Sequence, residues 1–349
     1  MSIAVVAPPW FTVPPKGYGG TETVCANLVD GLVARGHRVT LIAAGKSGTT
    51  AEQYSSYDAP QSDRINDAIV EAYHAAVAEE VIADGDFDVV HDHTLSGSVL
   101  ARNRSIPTLC TLHWDIADDY LQYFQLVSRT VGMVSLSKAH QAATPGVNWR
   151  GFVHNGIRTK DFPFLDRDAK EDWVLYLGRA FYNKGMHTAI DAARAAGKRI
   201  VLAAKCNEPL ERAFFEDEIR PRLGSDTEWL GEVDSIAKLD LLARASCLVN
   251  PIDWEEPFGL VMAEAQACGT PVVTYDRGAA GELVESGVTG FVCQTFDELV
   301  ASIDATTSLS PASCRDRAVR SFDIDVMAAG YERLYREAID NWPPKSANR

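Results

Sequence analysis

The feature that most constrains this chain is one alternation running from end to end: short apolar runs separated by amphipathic stretches of helical length. Runs of this kind read as buried parallel strands joined by crossover helices. In the first half the predicted strands span residues 3–7, 38–43, 88–91, 108–112, 133–137 and 152–154, with helices over 22–35 and 64–83. In the second half they span 173–177, 199–203, 228–230, 247–250, 271–274 and 291–293, with helices over 186–196, 235–245 and 260–267. At 349 residues the chain exceeds one ordinary core and suits two.

The alternation is interrupted over residues 157–164 and in the charged stretch 166–172, which read as a linker. The expected division is therefore 1–160 and 161–322, each half a doubly wound domain. The last helical stretch, about 323–342, is expected to pack back onto the first domain and to stop at Pro343-Pro344, because proline ends helices. Residues 345–349 read as dispensable. Ligands of doubly wound sheets sit beyond the carboxyl ends of the strands. Two such domains facing each other make a deep cleft.

Charge narrows the function. The formal net charge is −15, which argues against a nucleic-acid partner, since phosphate neutralisation needs clustered Lys and Arg. One small anion is still allowed, because a few local cations and helix ends suffice. Seven cysteines are scattered without a C-x-x-C pair, so neither a disulfide framework nor a zinc site is indicated. Met1 leads directly into a strand pattern without a basic leader, and no run approaches the roughly 20 apolar residues of a membrane span. The expected setting is reducing and cytoplasmic.

The strongest local signal is Glu256-Pro257-Phe258-Gly259-Leu260-Val261-Met262-Ala263-Glu264. It follows the strand 247–250, and Pro257 suits a first helical turn. The first free amides are then expected near Phe258, Gly259 and Leu260, where a helix start binds anions. Glu264 lies eight residues beyond Glu256, roughly 12 Å along a helix. That matches the reach from a sugar, past a diphosphate, to a ribose, with a carboxylate for the hydroxyls at each end. The plain alternative is a helix start with a favourable acid before it and a second Glu on its exposed face.

A second anion device is Gly178-Arg179-Ala180-Phe181-Tyr182-Asn183-Lys184-Gly185. Arg179 leaves a strand end, and Lys184 precedes a helix start, where a cation is unfavourable unless an anion is shared. The plain alternative is a solvated turn with two surface cations.

Together, Gly178-Arg179…Lys184-Gly185 and Glu256-Pro-Phe-Gly…Glu264, with the flanking Asn250-Pro251-Ile252-Asp253-Trp254-Glu255 and Ala267-Cys268-Gly269-Thr270-Pro271-Val272-Val273, resemble family 4 of the retaining glycosyltransferases, also called glycosyl transferases group 1. The resemblance covers essentially the whole chain and is strongest over residues 173–293. It implies the GT-B architecture: α/β, two Rossmann-like domains facing across a cleft, the first for the acceptor and the second for the donor. It implies that Glu256 binds hydroxyls of the transferred sugar, Glu264 the ribose, and Arg179 and Lys184 the diphosphate. The base is expected near the Lys205-Cys206-Asn207 and Gly231-Glu232-Val233 loops, read mostly by backbone, with Val233 among the donor contacts. No metal or other cofactor is expected.

In the first domain a long loop ends in Gly19-Gly20 at a helix start. It is too long, and lacks the third glycine, for a dinucleotide fingerprint, so a NAD site is disfavoured. The resemblance sets Gly19 and Gly20 against the donor diphosphate. His113, in Thr111-Leu112-His113-Trp114-Asp115, resembles a histidine that stands beside the reacting sugar. His91-Asp92-His93 is read as a metal-free strand end, and Asp84-Gly85-Asp86 as a helix-ending turn despite its likeness to the D-x-D of metal-dependent enzymes. Asn155-Gly156 is read as the inter-domain turn.

The implied reaction moves a hexosyl unit from a nucleotide-diphosphate sugar, UDP favoured over GDP, with retention of configuration. Stretch 64–84 carries Asp67, Glu71, Glu79, Glu80 and Asp84 against only Arg64, unlike the basic amphipathic surface of membrane-acting relatives. A soluble acceptor, a small molecule or a glycan, is therefore expected. The rivals are a nucleotide-sugar epimerase or hydrolase on the same scaffold and a non-catalytic sugar-nucleotide-binding protein.

Overall fold

The computed structural model of the chain describes residues 1–17, 19–114 and 118–342. Pro343 and Pro344, expected to stop the last helix, lie outside the described residues, as do 345–349, Tyr18 and Asp115. The chain divides into two compact units, one formed by Met1–Gly156 with the segment from Ile324 onward, the other by Ile157–Asp323. The boundary thus falls just before the expected linker rather than after residue 160.

The first unit is built on a seven-stranded sheet of β1 (Ser2–Val6), β2 (Arg38–Ala43), β3 (Glu52–Ser55), β4 (Val89–Asp92), β5 (Thr108–Thr111), β6 (Gly132–Ser135) and β7 (Trp149–Phe152). They lie in the order β3-β2-β1-β4-β5-β6-β7 and every pairing is parallel. β1, β4, β5 and β6 are buried along their whole length, which is why they read as short, mainly apolar runs without polar alternation. Two edge strands depart from expectation. β3 is a polar, largely exposed strand that the apolar pattern does not signal. β7 ends at Phe152, where the predicted strand began, after a register shift beside Met133 and Val134.

The helix Ile324–Asp340 belongs to this first unit. It lies against the helix Gly20–Ala34, where a Cβ on Gly31 would come 3.0 Å from the Ala328 methyl. Its buried Tyr331 and Tyr335 reach the sheet: the Tyr335 hydroxyl is 2.6 Å from His91 Nδ1, and the Tyr331 hydroxyl 3.0 Å from Thr111 Oγ1. Each phenol buries a large ring while its hydroxyl keeps a polar partner, so burial carries no unsatisfied group.

The second unit holds a six-stranded parallel sheet of β8 (Trp173–Arg179), β9 (Arg199–Lys205), β10 (Thr227–Gly231), β11 (Cys247–Asn250), β12 (Val272–Tyr275) and β13 (Gly290–Cys293). The order is β10-β9-β8-β11-β12-β13. Val174, Tyr176, Met186, Ile190, Leu202 and Val249 form part of one buried cluster between strands and helices. Each such side chain contributes about 1.5–3 kcal/mol on burial, enough to hold the carboxyl strand ends in fixed register. Among the described residues no helix is long and apolar enough to cross a membrane.

Candidate active site

The loop after β8 is tied down from below. Tyr176, fully buried in the strand, donates its hydroxyl to the Arg179 carbonyl at 2.9 Å, and the Lys184 carbonyl is 3.3 Å away. Burial raises the phenol far above its usual pKa, so it stays a donor. Between these points the chain makes a tight turn over Tyr182–Lys184, and Gly185 adopts a left-handed φ of 73° to start the helix Met186–Ala195. A Cβ on Gly185 would stand 2.0 Å from the Pro251 carbonyl oxygen, so only glycine brings this loop so close to the one after β11. The Asp253 amide donates to the Asn183 carbonyl at 2.8 Å and joins the two loops.

On that frame Lys184 and Glu256 meet. Lys184 Nζ is 2.6 Å from Glu256 Oε2, with side-chain exposures of 25% and 17%. Trp254 Nε1 donates to the same oxygen at 3.0 Å, and the Lys184 ammonium lies 4.3 Å from the Trp254 ring centroid. The loop after β12 supports Glu256 from behind: the Ala279 amide donates to the Glu256 carbonyl at 2.9 Å. A Cβ on Gly278 would come 2.2 Å from that carbonyl oxygen.

The helix start differs from expectation. It begins at Leu260 with Gly259 as its cap, φ 88°, so Pro257 and Phe258 precede the helix and Pro257 is not in its first turn. The Phe258 side chain is buried and packs edge-on against Phe322, 5.8 Å between centroids. Gly259 is required by its left-handed backbone, and a Cβ there would also meet Met262 Cε at 2.5 Å. Glu264 is not on an exposed face: it is 8% exposed and binds Lys238 Nζ at 2.7 Å. Lys238 comes from the helix Ser235–Arg244, capped by Asp234, whose side chain accepts from the Ala237 amide at 2.8 Å. Val233 lies half-buried in the loop between Gly231 and that cap.

Arg179 lies within the same unit beside carboxylates: Glu211 at 2.7 Å and Glu208 at 3.1 Å. Burial pushes the Glu211 carboxyl up, but the Glu208 and Asn207 amides and Arg179 outweigh it and leave the pKa below the usual range.

On the first unit, Gly19 caps the helix Gly20–Ala34 and its carbonyl accepts from the Thr23 amide at 3.0 Å and hydroxyl at 2.8 Å. A Cβ on Gly19 would lie 2.9 Å from the Pro15 ring and 3.3 Å from Glu22 Oε2. Glu22 is 3% exposed, and burial pushes its carboxyl up to about 7. His113 Nε2 is 2.8 Å from His93 Nδ1, and the His93 ring lies 4.0 Å from that of His91. Burial pushes His113 and His91 down to about 3, so both rings are neutral at physiological pH. Asp92 does not share their ligand-like grouping: its carboxylate accepts from the Thr94 amide and hydroxyl at 2.8 and 2.7 Å. Among the described residues no three His, Cys, Asp or Glu groups converge as a metal site.

Residues 157–317 match the family Glycosyl transferases group 1, and residues 18–185 match Glycosyltransferase Family 4. The chain thus carries both domains of the family 4 glycosyltransferases. This glycosyltransferase is 26% identical to a glycogen synthase of Mycobacterium tuberculosis, over 93% of this chain and 92% of that protein. It is 25% identical to a phosphatidyl-myo-inositol mannosyltransferase of Mycobacterium leprae, over 96% of each. Among solved structures it resembles AviGT4, a glycosyltransferase involved in avilamycin A biosynthesis, with 28% identity, TM-score 0.77 and coverage of 97% and 98%. Its fold is also that of Anabaena HepE, solved with UDP-glucose, at 19% identity, TM-score 0.73 and coverage of 97% and 100%. The architecture is GT-B.

Sequence reasoning singled out Lys184 and Glu256, and the glycosyltransferase brings them into direct contact. It missed what surrounds them. Trp254 stands only in the flanking sequence of the motif, although a tryptophan two residues before an acid in a loop is a candidate indole donor. Tyr176 was hidden in a strand pattern, and Lys238 in a surface-helix pattern. Glu22 carried one weak signal, an acid in the first turn after Gly19-Gly20.

Proposed function

We propose that this glycosyltransferase transfers a hexosyl unit from UDP-sugar, with retention of configuration and without a metal ion, to a soluble small-molecule acceptor in the cytoplasm. The observation that carries the reading is the Lys184–Glu256 pair at the carboxyl ends of β8 and β11, followed by the Gly259-capped helix that bears Glu264. Glu256 would accept hydroxyls of the transferred sugar and Glu264 those of the ribose. Lys184 and Arg179 would balance the diphosphate, with the amides of Gly259 and Leu260 at the helix start adding fixed donors. On the first unit, Gly19 and Gly20 would lend amides to the diphosphate, and neutral His113 would serve the sugar.

In the proposed reaction the bond from the anomeric carbon to the diphosphate breaks and the acceptor oxygen bonds to the same face of that carbon. The acceptor proton passes to a diphosphate oxygen, and UDP leaves. The chain's part is to hold the leaving charge and the cationic sugar in position, which is where most of the barrier reduction arises in such sites. UDP as carrier is supported by the UDP-glucose complex of HepE. The acidic helix Ala68–Asp84 disfavours an anionic membrane surface.

Calorimetric binding of UDP, GDP, ADP and NAD, each with excess EDTA, tests this directly. Micromolar binding of UDP is expected. Binding of NAD alone, or of nothing until a divalent metal is restored, would refute the reading. Sedimentation with anionic liposomes would refute the soluble acceptor.

A further inference from the structure

Arg179 and Lys205 end the adjacent parallel strands β8 and β9, where they are register partners. Two carboxylates span them. Glu208 Oε2 lies 3.1 Å from Arg179, and Glu208 Oε1 lies 2.6 Å from Lys205 Nζ. Glu211 Oε1 lies 2.7 Å from Arg179 and 3.6 Å from Lys205 Nζ, and it has a different character. The Glu211 side chain is fully buried and accepts from the Asn207 amide at 2.8 Å and the Glu208 amide at 3.0 Å. Glu211 is thereby fixed and aims Arg179. The Glu208 side chain is 53% exposed and on the solvent side.

Glu208 also caps the helix Pro209–Phe214 through the Glu211 amide, a role that a glutamine keeps. Ion pairs whose carboxylate faces water contribute little, about 0–1 kcal/mol each, so the Glu208 contacts to the two cations exchange readily. A diphosphate offers more charge and more acceptor oxygens to the same two cations. The two oxygens of Glu208 bridge them much as two oxygens of one phosphate would. We propose that Lys205 is a third diphosphate-binding cation, and that Glu208 occupies the phosphate position between Lys205 and Arg179 until the donor displaces it. This rests on the donor site proposed above and extends it with one cation and one competing carboxylate.

The two residues then act with opposite sign on the same equilibrium. Titration calorimetry of UDP into the full chain is the test, with Glu208→Gln, Lys205→Ala, Lys205→Arg and Lys184→Ala. Glu208→Gln should tighten UDP about fivefold, because a neutral amide no longer competes. Lys205→Ala should weaken it about tenfold, in line with one lost charge-assisted bond, and Lys205→Arg should recover most of that. Uridine, which lacks phosphate, should not distinguish these variants. If Lys184→Ala weakens UDP while Lys205→Ala and Glu208→Gln leave it unchanged, the inference is overturned and the donor site stands. Weaker UDP binding by Glu208→Gln, with an unchanged melting temperature, overturns it as well. Wild-type protein that binds no nucleoside diphosphate overturns both.

Discussion

The Lys184 ammonium lies 4.3 Å from the centre of the Trp254 ring, and the indole N–H of that same tryptophan donates to the carboxylate oxygen that Lys184 binds. The tryptophan therefore attracts the cation through its face and orients the anion through its edge. Both polar contacts fall on Glu256 Oε2.

Separating the two roles of Trp254 gives the first prediction. Glu256→Ala and Lys184→Ala should each lower kcat/KM a few hundred-fold, about 3–4 kcal/mol, as lost electrostatic groups in active sites do. Trp254→Phe keeps the ring face and should cost about tenfold in kcat with little change in donor KM, in proportion to one hydrogen bond to a charged group. Trp254→Leu removes both contacts and should also raise donor KM. Initial-rate kinetics check this; near-wild-type turnover in Glu256→Ala would remove the assignment.

Glu264 is buried against Lys238, which suits a carboxylate fixed to read hydroxyls. Wild-type protein should bind UDP at least about tenfold more tightly than 2′,3′-dideoxy-UDP, since an unmet buried acceptor costs about 1–3 kcal/mol. Glu264→Ala should lose that discrimination. Equal preference for the two nucleotides in wild type would show that Glu264 does not meet the ribose.

Glu22 gives a pH prediction with a definite sign. Its carboxyl is pushed from about 4.5 up to about 7 by burial. Between those values the folded chain keeps a proton that the unfolded chain has released, so stability from this group is full at low pH and falls as pH rises. Glu22→Gln should therefore gain on wild type between pH 5 and pH 8 by on the order of 2–3 kcal/mol. Urea midpoints at the two pH values measure it. A wild-type-to-variant difference that does not change with pH would contradict the assignment.

Acid should open the first unit before the second. His74, His91, His113 and His140 are all in the first unit and are pushed down to about 4, 3, 3 and 4, chiefly by burial. Their stabilisation is complete above the usual histidine value and is lost as pH falls below it, at about 1.4 kcal/mol per pH unit for each group. Hydrogen exchange at pH 7 and pH 5 should show β4 and β5 losing protection while β8 and β11 keep theirs. The reverse order would refute it. The same shifts predict that His113 contributes no inflection to the rate profile between pH 5 and 8.

The parallel sheets were legible because their central strands are buried on both faces and so are mainly apolar. All six strands of the second sheet were expected near where they lie. β3 was not, because Glu-Gln-Tyr-Ser at an exposed edge has no apolar face to show. Glu256 and Lys184 were legible through their spacing from helix starts. The geometry at Pro257 was misread because Gly259 turns the chain left-handed before the helix begins, which a proline signal alone does not reveal. Contacts between distant segments, such as Lys238 to Glu264 or Tyr335 to His91, have no local pattern at all.

The second unit is inserted into the chain of the first, and its two ends lie side by side: the Ile157 amide donates to the Phe322 carbonyl at 2.8 Å. On the ribosome, residues 157–323 are therefore available to fold as a closed unit while the first sheet still waits for the tyrosines of its final helix. His91 and Thr111, made early, remain without Tyr335 and Tyr331 until the helix Ile324–Asp340 has been made. A nascent chain stalled shortly before Ile324 emerges should already bind nucleotide, while its earlier-made half is still sensitive to protease.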